Sequence, residues 1–280
     1  MRPILTKTVT GNAVDREQAG GIDQEGYTLI ELLIALAMMG LIMAGVATAY
    51  SVGSATYLTG SNQAQVQQDT RVALMMLEED LRLIGYGYPT ATTLPKITNV
   101  TSTSTNVSIT FWADLAGGST VLAADVAAGA TTLTVPSPTN IVTGDIIYLV
   151  NGAQWERRPV NAVTAGTPNT AITVGAATAQ YQNCPCLFPR GVQVGRPKLI
   201  VHAWNQGAGA ITRDIGDGNG AQTLVTGVQA FALTYLDANG NTTTTPANIR
   251  QVMINMTIQS ASTFDGGTAV ITTDIRPRNL

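Results

Sequence analysis

Residues 27–50 read YTLIELLIALAMMGLIMAGVATAY, and Glu31 is the only charge among them. A run of roughly 20 apolar residues is long enough to cross a bilayer core as a helix. Residues 1–26 before it are polar, with Arg2, Lys7 and Arg16 set against Asp15, Glu17, Asp23 and Glu25. A secretory signal has a shorter apolar region and a small-residue cleavage site after it. Here the run is too long, and the polar side precedes it. An ordinary signal anchor fits the length but leaves Glu31 unexplained. A carboxylate inside a spanning segment costs about 2.5–3.5 kcal/mol near the centre and less near the end. Glu31 therefore asks for a partner.

Helical character continues past the apolar run. Residues 51–89 read SVGSATYLTGSNQAQVQQDTRVALMMLEEDLRLIGYGYP. Val66, Ala73, Met76 or Leu77, Leu81 and Ile84 recur at three- or four-residue spacing, the pattern of an amphipathic helix. Glu78 and Arg82 stand at i, i+4 in the favourable orientation, and Gly85, Gly87 and Pro89 supply a stop. A helix from Thr28 to Ile84 would be about 85 Å long at 1.5 Å per residue. Its first half, apolar all round, needs lipid or other helices about it, whereas its second half needs one face covered by a domain. Gly40, Gly45, Gly53 and Gly60 lower helix propensity and predict local softening. The acidic run Glu78-Glu79-Asp80 reads as a solvated helix face, because consecutive helical positions point in different directions.

From Asn106 onward the pattern becomes short strands broken by Gly, Pro, Asn and Asp. Residues 106–112, 131–135, 145–150 and 171–174 are strand candidates in a β-rich insertion. A second set covers 198–204, 223–236, 250–259 and 268–275. In the third of these, Val252, Ile254, Met256 and Ile258 alternate with polar residues, which marks a half-buried strand. Phe231, Leu233 and Tyr235 share one face and are expected to pack on the amphipathic helix. An antiparallel sheet against one helix is an α+β design.

The stretch Gly26-Tyr27-Thr28-Leu29-Ile30-Glu31-Leu32-Leu33-Ile34 resembles the N-terminal signature of type IV prepilins and type II secretion pseudopilins. The resemblance implies that a prepilin peptidase cuts between Gly26 and Tyr27 and N-methylates Tyr27. Glu31, fifth in the mature chain, would then meet a neighbouring subunit's N-terminal amine. In a low-dielectric filament core an ion pair is far less costly than a lone carboxylate. Tyr27 stands where phenylalanine is usual and keeps the aromatic ring; Glu25 stands where a basic residue is common. The leader is long for this class, and translation starting further downstream would leave the mature chain unchanged.

Further along, TRVALMMLEEDLRLIGYG (70–87), LVTGVQAFALTYLDANGN (224–241), IRQVMINMTIQ (249–259) and DIRPRNL (274–280) resemble, in their order, PilW-type minor pilins and the related J-type minor pseudopilins. The implied fold class is α+β: a long N-terminal α-helix, transmembrane in its first half, packed on an antiparallel β-sheet pilin domain with a β-rich insertion. The implied segments are a leader at 1–26, a transmembrane or filament-core helix at 27–50 and its amphipathic half at 51–85. A connecting region and β-rich insertion would occupy 86–197, and the C-terminal antiparallel sheet 198–280. The implied function is a minor pilin that helps initiate or cap a type IV pilus. The alternatives are a minor pseudopilin of a type II secretion system and a filament-displayed adhesin. Other minor and major pilins, the prepilin peptidase and an inner-membrane assembly platform are the implied partners. The precursor would sit in the inner membrane with its C-terminal domain outside the cytoplasm, then join a pilus or pseudopilus. Because Glu31 is useful only when another N-terminus approaches it, the subunit is not expected at the outermost tip.

Composition bounds the other functions. Net charge is −3 and the isoelectric point near 5.1, so no basic surface for nucleic acid is advertised. The chain has one histidine, His202, and two cysteines, Cys184 and Cys186. That set is too small for a Cys/His zinc site, and no nucleophile elbow accompanies the histidine. No enzyme activity, cofactor or metal is expected, and His202 reads as structural. Cys184-Pro185-Cys186 has three readings: a small strained disulfide, as an oxidising exterior favours, free thiols, or crosslinks to a partner. Asp237-Ala238-Asn239-Gly240-Asn241 reads as a hairpin turn built on Asn-Gly rather than a calcium loop, whose distal glutamate is missing. Asp214, Asp217 and Asn219 read the same way.

Overall fold

The long helix, α1, spans Leu29–Arg82 and begins with a cap the sequence supplies. The Glu31 backbone N–H donates to Thr28 Oγ1 at 3.3 Å, and Leu32 N–H donates to the Thr28 carbonyl at 3.2 Å. Threonine at this position satisfies an N–H that has no partner inside the helix. Helical structure persists through Gly40, Gly45, Gly53 and Gly60, so the expected softening leaves no break. Each glycine costs about 1 kcal/mol of propensity, too little to interrupt a helix of this length.

A computed structural model describes residues 26–90, 95–137, 139–176, 186–259 and 268–280. The chain divides into two compact units, Met1–Ser54 and Ala55–Leu280. Within the described part of the first unit nearly every residue is exposed, Leu29, Ile30, Leu33, Leu36 and Leu41 among them. The hydroxyls there are satisfied internally: Thr48 donates to the Ala44 carbonyl, Ser51 to Thr48 and Ser54 to Ser51. A helix whose polar side chains bond its own backbone is prepared for an apolar surrounding.

In the second unit the helix turns one face inward. Thr70, Ala73, Leu77, Asp80 and Leu81 are buried, and Gly85, at φ +79°, ends the run as its position predicts. Fourteen strands follow among the described residues, all paired antiparallel. In chain order they begin with β1 (Ile97–Ser102) and β2 (Asn106–Ala113). Then come β3 (Thr120–Val121), β4 (Thr132–Pro136), β5 (Ile146–Asn151), β6 (Gln154–Thr164), β7 (Asn169–Val174) and β8 (Gln193–Gly195). The last are β9 (Lys198–Asn205), β10 (Ala210–Asp214), β11 (Gln222–Thr226), β12 (Val228–Leu236), β13 (Gln251–Gln259) and β14 (Thr268–Ile275).

They form three sheets: β1-β2-β9-β10-β11, β12-β13-β14 and β3-β8-β5-β6-β7-β4. The five- and three-stranded sheets share one core with the helix. Leu77, Leu81 and Ile84 meet Ile109, Phe111, Ile200, Leu233, Tyr235 and Ile254 there. The six-stranded sheet closes on a core of its own around Leu133, Ile147, Leu149, Ile172, Phe188 and Val194. The fold is α+β, as expected.

Strand pairing redistributes the expected segments. The strand at 106–113, read above as part of the insertion, pairs with β9 in the register Phe111↔Ile200 and so belongs to the five-stranded sheet. The expected single strand over 223–236 is two strands in two sheets. Gly227, at φ +78°, turns the chain between them.

An ionic cluster joins the six-stranded sheet to the start of β9. Asp145 accepts from Arg196 Nη1 at 3.1 Å, Lys198 Nζ at 2.6 Å and the Val142 N–H at 2.9 Å. Burial pushes its pKa up, but the bonds from Lys198, Val142 and Arg196 outweigh that and hold the carboxyl below its ordinary value of 3.8. A depressed folded pKa adds stability above the unfolded value, and that stability is lost as pH falls through the folded pKa. Acid titration of unfolding is thus expected to show Asp145→Asn less stable than the parent above about pH 4, with the gap closing below it. A gap that stays constant down to about pH 2 would contradict this role.

Candidate functional site

Gly26 and Tyr27 lie just ahead of α1, separated from it by Thr28. Nothing lies within 4 Å of where a Cβ on Gly26 would stand, and Tyr27 is 84% exposed. Glu31 falls in the first helical turn and is exposed. A carboxylate there is favoured by the uncapped N–H groups and partial positive charge of the helix start. Among the described residues it makes no ion pair, so its charge remains available to another chain. Around it Leu29, Ile30, Leu32, Leu33 and Ile34 are all exposed. The arrangement presents one anion inside an apolar collar, which selects a cation delivered together with apolar surface.

The acidic run on the second half of α1 is not the solvated face read from its sequence. Glu79 is exposed, but Asp80 is buried. Arg213 grips Asp80 with both arms, Nε to Oδ2 at 2.6 Å and Nη2 to Oδ1 at 2.7 Å. His202 Nε2 lies 2.8 Å from the same Oδ2, and its ring stacks on Phe111 with centroids 6.0 Å apart. The pattern held a signal for this. Asp80 falls three residues after Leu77 and four before Ile84, on the face that Ala73 also shares, and so it points into the core. His202 and Asp80 side chains are only 1% and 4% exposed. The pair ties helix to sheet. Glu78, beside it, bonds Arg82 at 3.3 Å as the spacing predicts, and accepts from Thr273 Oγ1 at 2.8 Å.

The remaining candidates resolve into local structure. Asp237 accepts from the Asn239 and Asn241 N–H groups, at 2.8 and 2.9 Å, and Gly240 takes φ +84° in the turn between Leu236 and Thr242. Those N–H bonds hold the Asp237 carboxyl below the usual range. Asp214 and Asp217 likewise accept from Gly216 and Asn219 in tight turns. Cys186 is disulfide-bonded, and Cys184 lies outside the described residues.

Residues 23–47 match the family model of the prokaryotic N-terminal methylation motif. The match takes in Gly26, Tyr27, Glu31 and nearly all of the apolar run, as far as Ala47. No curated protein and no solved structure matches the chain. The motif and the apolar helix that carries it support a type IV pilin-like prepilin or pseudopilin, anchored in a membrane as a precursor. A structural protein that assembles with other pilins is what such a motif implies.

Proposed function

We propose that the chain is a minor, PilW-type pilin that helps initiate or cap a type IV pilus. A prepilin peptidase cuts between Gly26 and Tyr27 and N-methylates Tyr27. The precursor waits in the inner membrane as a single-pass protein with its C-terminal domain outside the cytoplasm. An assembly platform then draws it among other minor and major pilins, toward the cell surface. One observation carries this reading: Glu31, the sole charge in residues 27–50, sits exposed on the first helical turn inside the methylation motif. In lipid it is a cost, and beside another subunit's terminal amine it becomes half of an ion pair. A minor pseudopilin of a type II secretion system would use the same residues in the same way. An adhesive role has its own support, the six-stranded sheet, which closes around a core separate from that of the helix.

Mass spectrometry of the mature N-terminus tests the processing step. The expected product starts at N-methylated Tyr27. An intact leader in cells with an active prepilin peptidase overturns the reading.

A further inference from the structure

The five-stranded sheet ends on β11, whose only strand partner among the described residues is β10. The other edge of β11 therefore offers unpaired N–H and C=O groups, a template on which another chain can add a strand. Such edges are commonly blunted with lysine, proline or an inward charge. Gln222-Thr223-Leu224-Val225-Thr226 has none of these. Gly227 explains why the segment after β11 does not fold back along this edge. It turns the backbone away into the other sheet, and its carbonyl accepts from Gln259 N–H at 3.0 Å.

A groove of about 380 Å³ lies between this edge and the helix. Val66 and Val72 wall it from α1, Leu224 from β11 and Ile258 from β13. Asp69, on the exposed side of the helix, is the one charged residue among those lining it. The lining is mixed, with Gln68 and Thr226 beside the apolar walls, and an occupant that covers Asp69 takes water from its carboxylate unless it brings a cation. Free strand edge, apolar walls and a single anion together describe the occupant. It is extended, apolar at alternate positions, and basic near one end.

We propose that this groove receives an extended segment of a neighbouring filament subunit, added to β11 as a strand, with a lysine or arginine against Asp69. The inference rests on the filament reading above and gives it a lateral contact distinct from Glu31.

The test uses the full chain in cells that assemble filaments, with Thr226→p-benzoylphenylalanine as the crosslinking site. The expected adduct joins this chain to a different subunit bearing the methylation motif, as read by mass spectrometry. Its yield is expected to fall roughly fivefold when Asp69→Lys is added, the scale of a rim ion pair turned repulsive. An adduct to a second copy of this chain or to its own residues overturns the proposal. So does a yield unchanged by Asp69→Lys, or no adduct where the same analogue in place of Leu36 does crosslink. The terminus at Tyr27, measured in the same sample, separates the two ideas. If it is mature, a negative result removes the groove contact alone; if the leader is intact, the filament reading itself fails.

Discussion

Asp80→Ala is expected to destabilise the β domain by about 3–5 kcal/mol, the cost of breaking a buried ion pair by removing one partner. The loss comes less from the missing bonds than from what stays behind. Arg213 would keep its guanidinium with two donors unanswered, and His202 would keep Nε2 facing a void in the core. Arg213 is 27% exposed and can recruit some water, which places the effect at the lower end of that range. Glu79→Ala, one residue away on the exposed face, is expected to change stability by no more than about 0.5 kcal/mol. Denaturant unfolding of both variants, followed by the intrinsic emission of Trp112, Trp155 and Trp204, makes the comparison. Equal midpoints would show that the cluster does not hold helix to sheet.

That cluster also shows where sequence reading loses its grip. Periodicity places Ala73, Leu77 and Ile84 on the buried face without difficulty, because apolar residues announce burial by their own chemistry. Asp80 shares their face but carries a charge, and the partners that make its burial tolerable lie on β9 and β10, far along the chain. Strand β6 is hidden for a similar reason. Gln154–Thr164 contains Glu156, Arg157, Arg158 and Pro159, a composition that argues against a sheet interior. Yet Glu156 and Arg158 pair at 2.7 Å with both side chains nearly sealed from solvent. Burial outweighs the charge pair in raising the Glu156 pKa, which marks how dry the site is.

Legible features are those decided locally. The glycine stop at Gly85 and the alternation of Val252, Ile254, Met256 and Ile258 each depend on a few adjacent residues. Sheet membership depends on distant ones. Phe111 stands opposite Ile200 with the whole six-stranded sheet lying between them in the chain. No local pattern reports that pairing, so proximity in the chain assigns the strand at 106–113 to the wrong neighbours. At the N-terminal site the relation is reversed. Gly26, Tyr27 and Glu31 are recognisable because their chemistry is conspicuous against an apolar run, and among the described residues Glu31 is exposed and makes no ion pair.

Glu31→Val is expected to leave processing after Gly26 intact while reducing incorporation into filaments by at least about a hundredfold, the lower end of what a lost buried ion pair costs. The substitution isolates the side chain. Thr28 caps the backbone N–H of residue 31 and not its carboxylate, so the helix start survives the change. Valine also suits a bilayer better than glutamate does, so insertion of the precursor should improve slightly. What valine cannot do is neutralise an incoming amine. A subunit docking against the apolar collar of this variant would bury its methylated terminus without a counter-charge, and breaking such a buried pair costs about 3–5 kcal/mol. Two measurements on the same cells separate the steps: the mass of the membrane-bound chain reports cleavage, and the amount in sheared filaments reports incorporation. Glu31→Asp, which keeps the charge on a shorter arm, is expected to fall between the valine variant and the parent. Equal incorporation of all three chains would mean that the lone carboxylate of the apolar run has no partner in the filament.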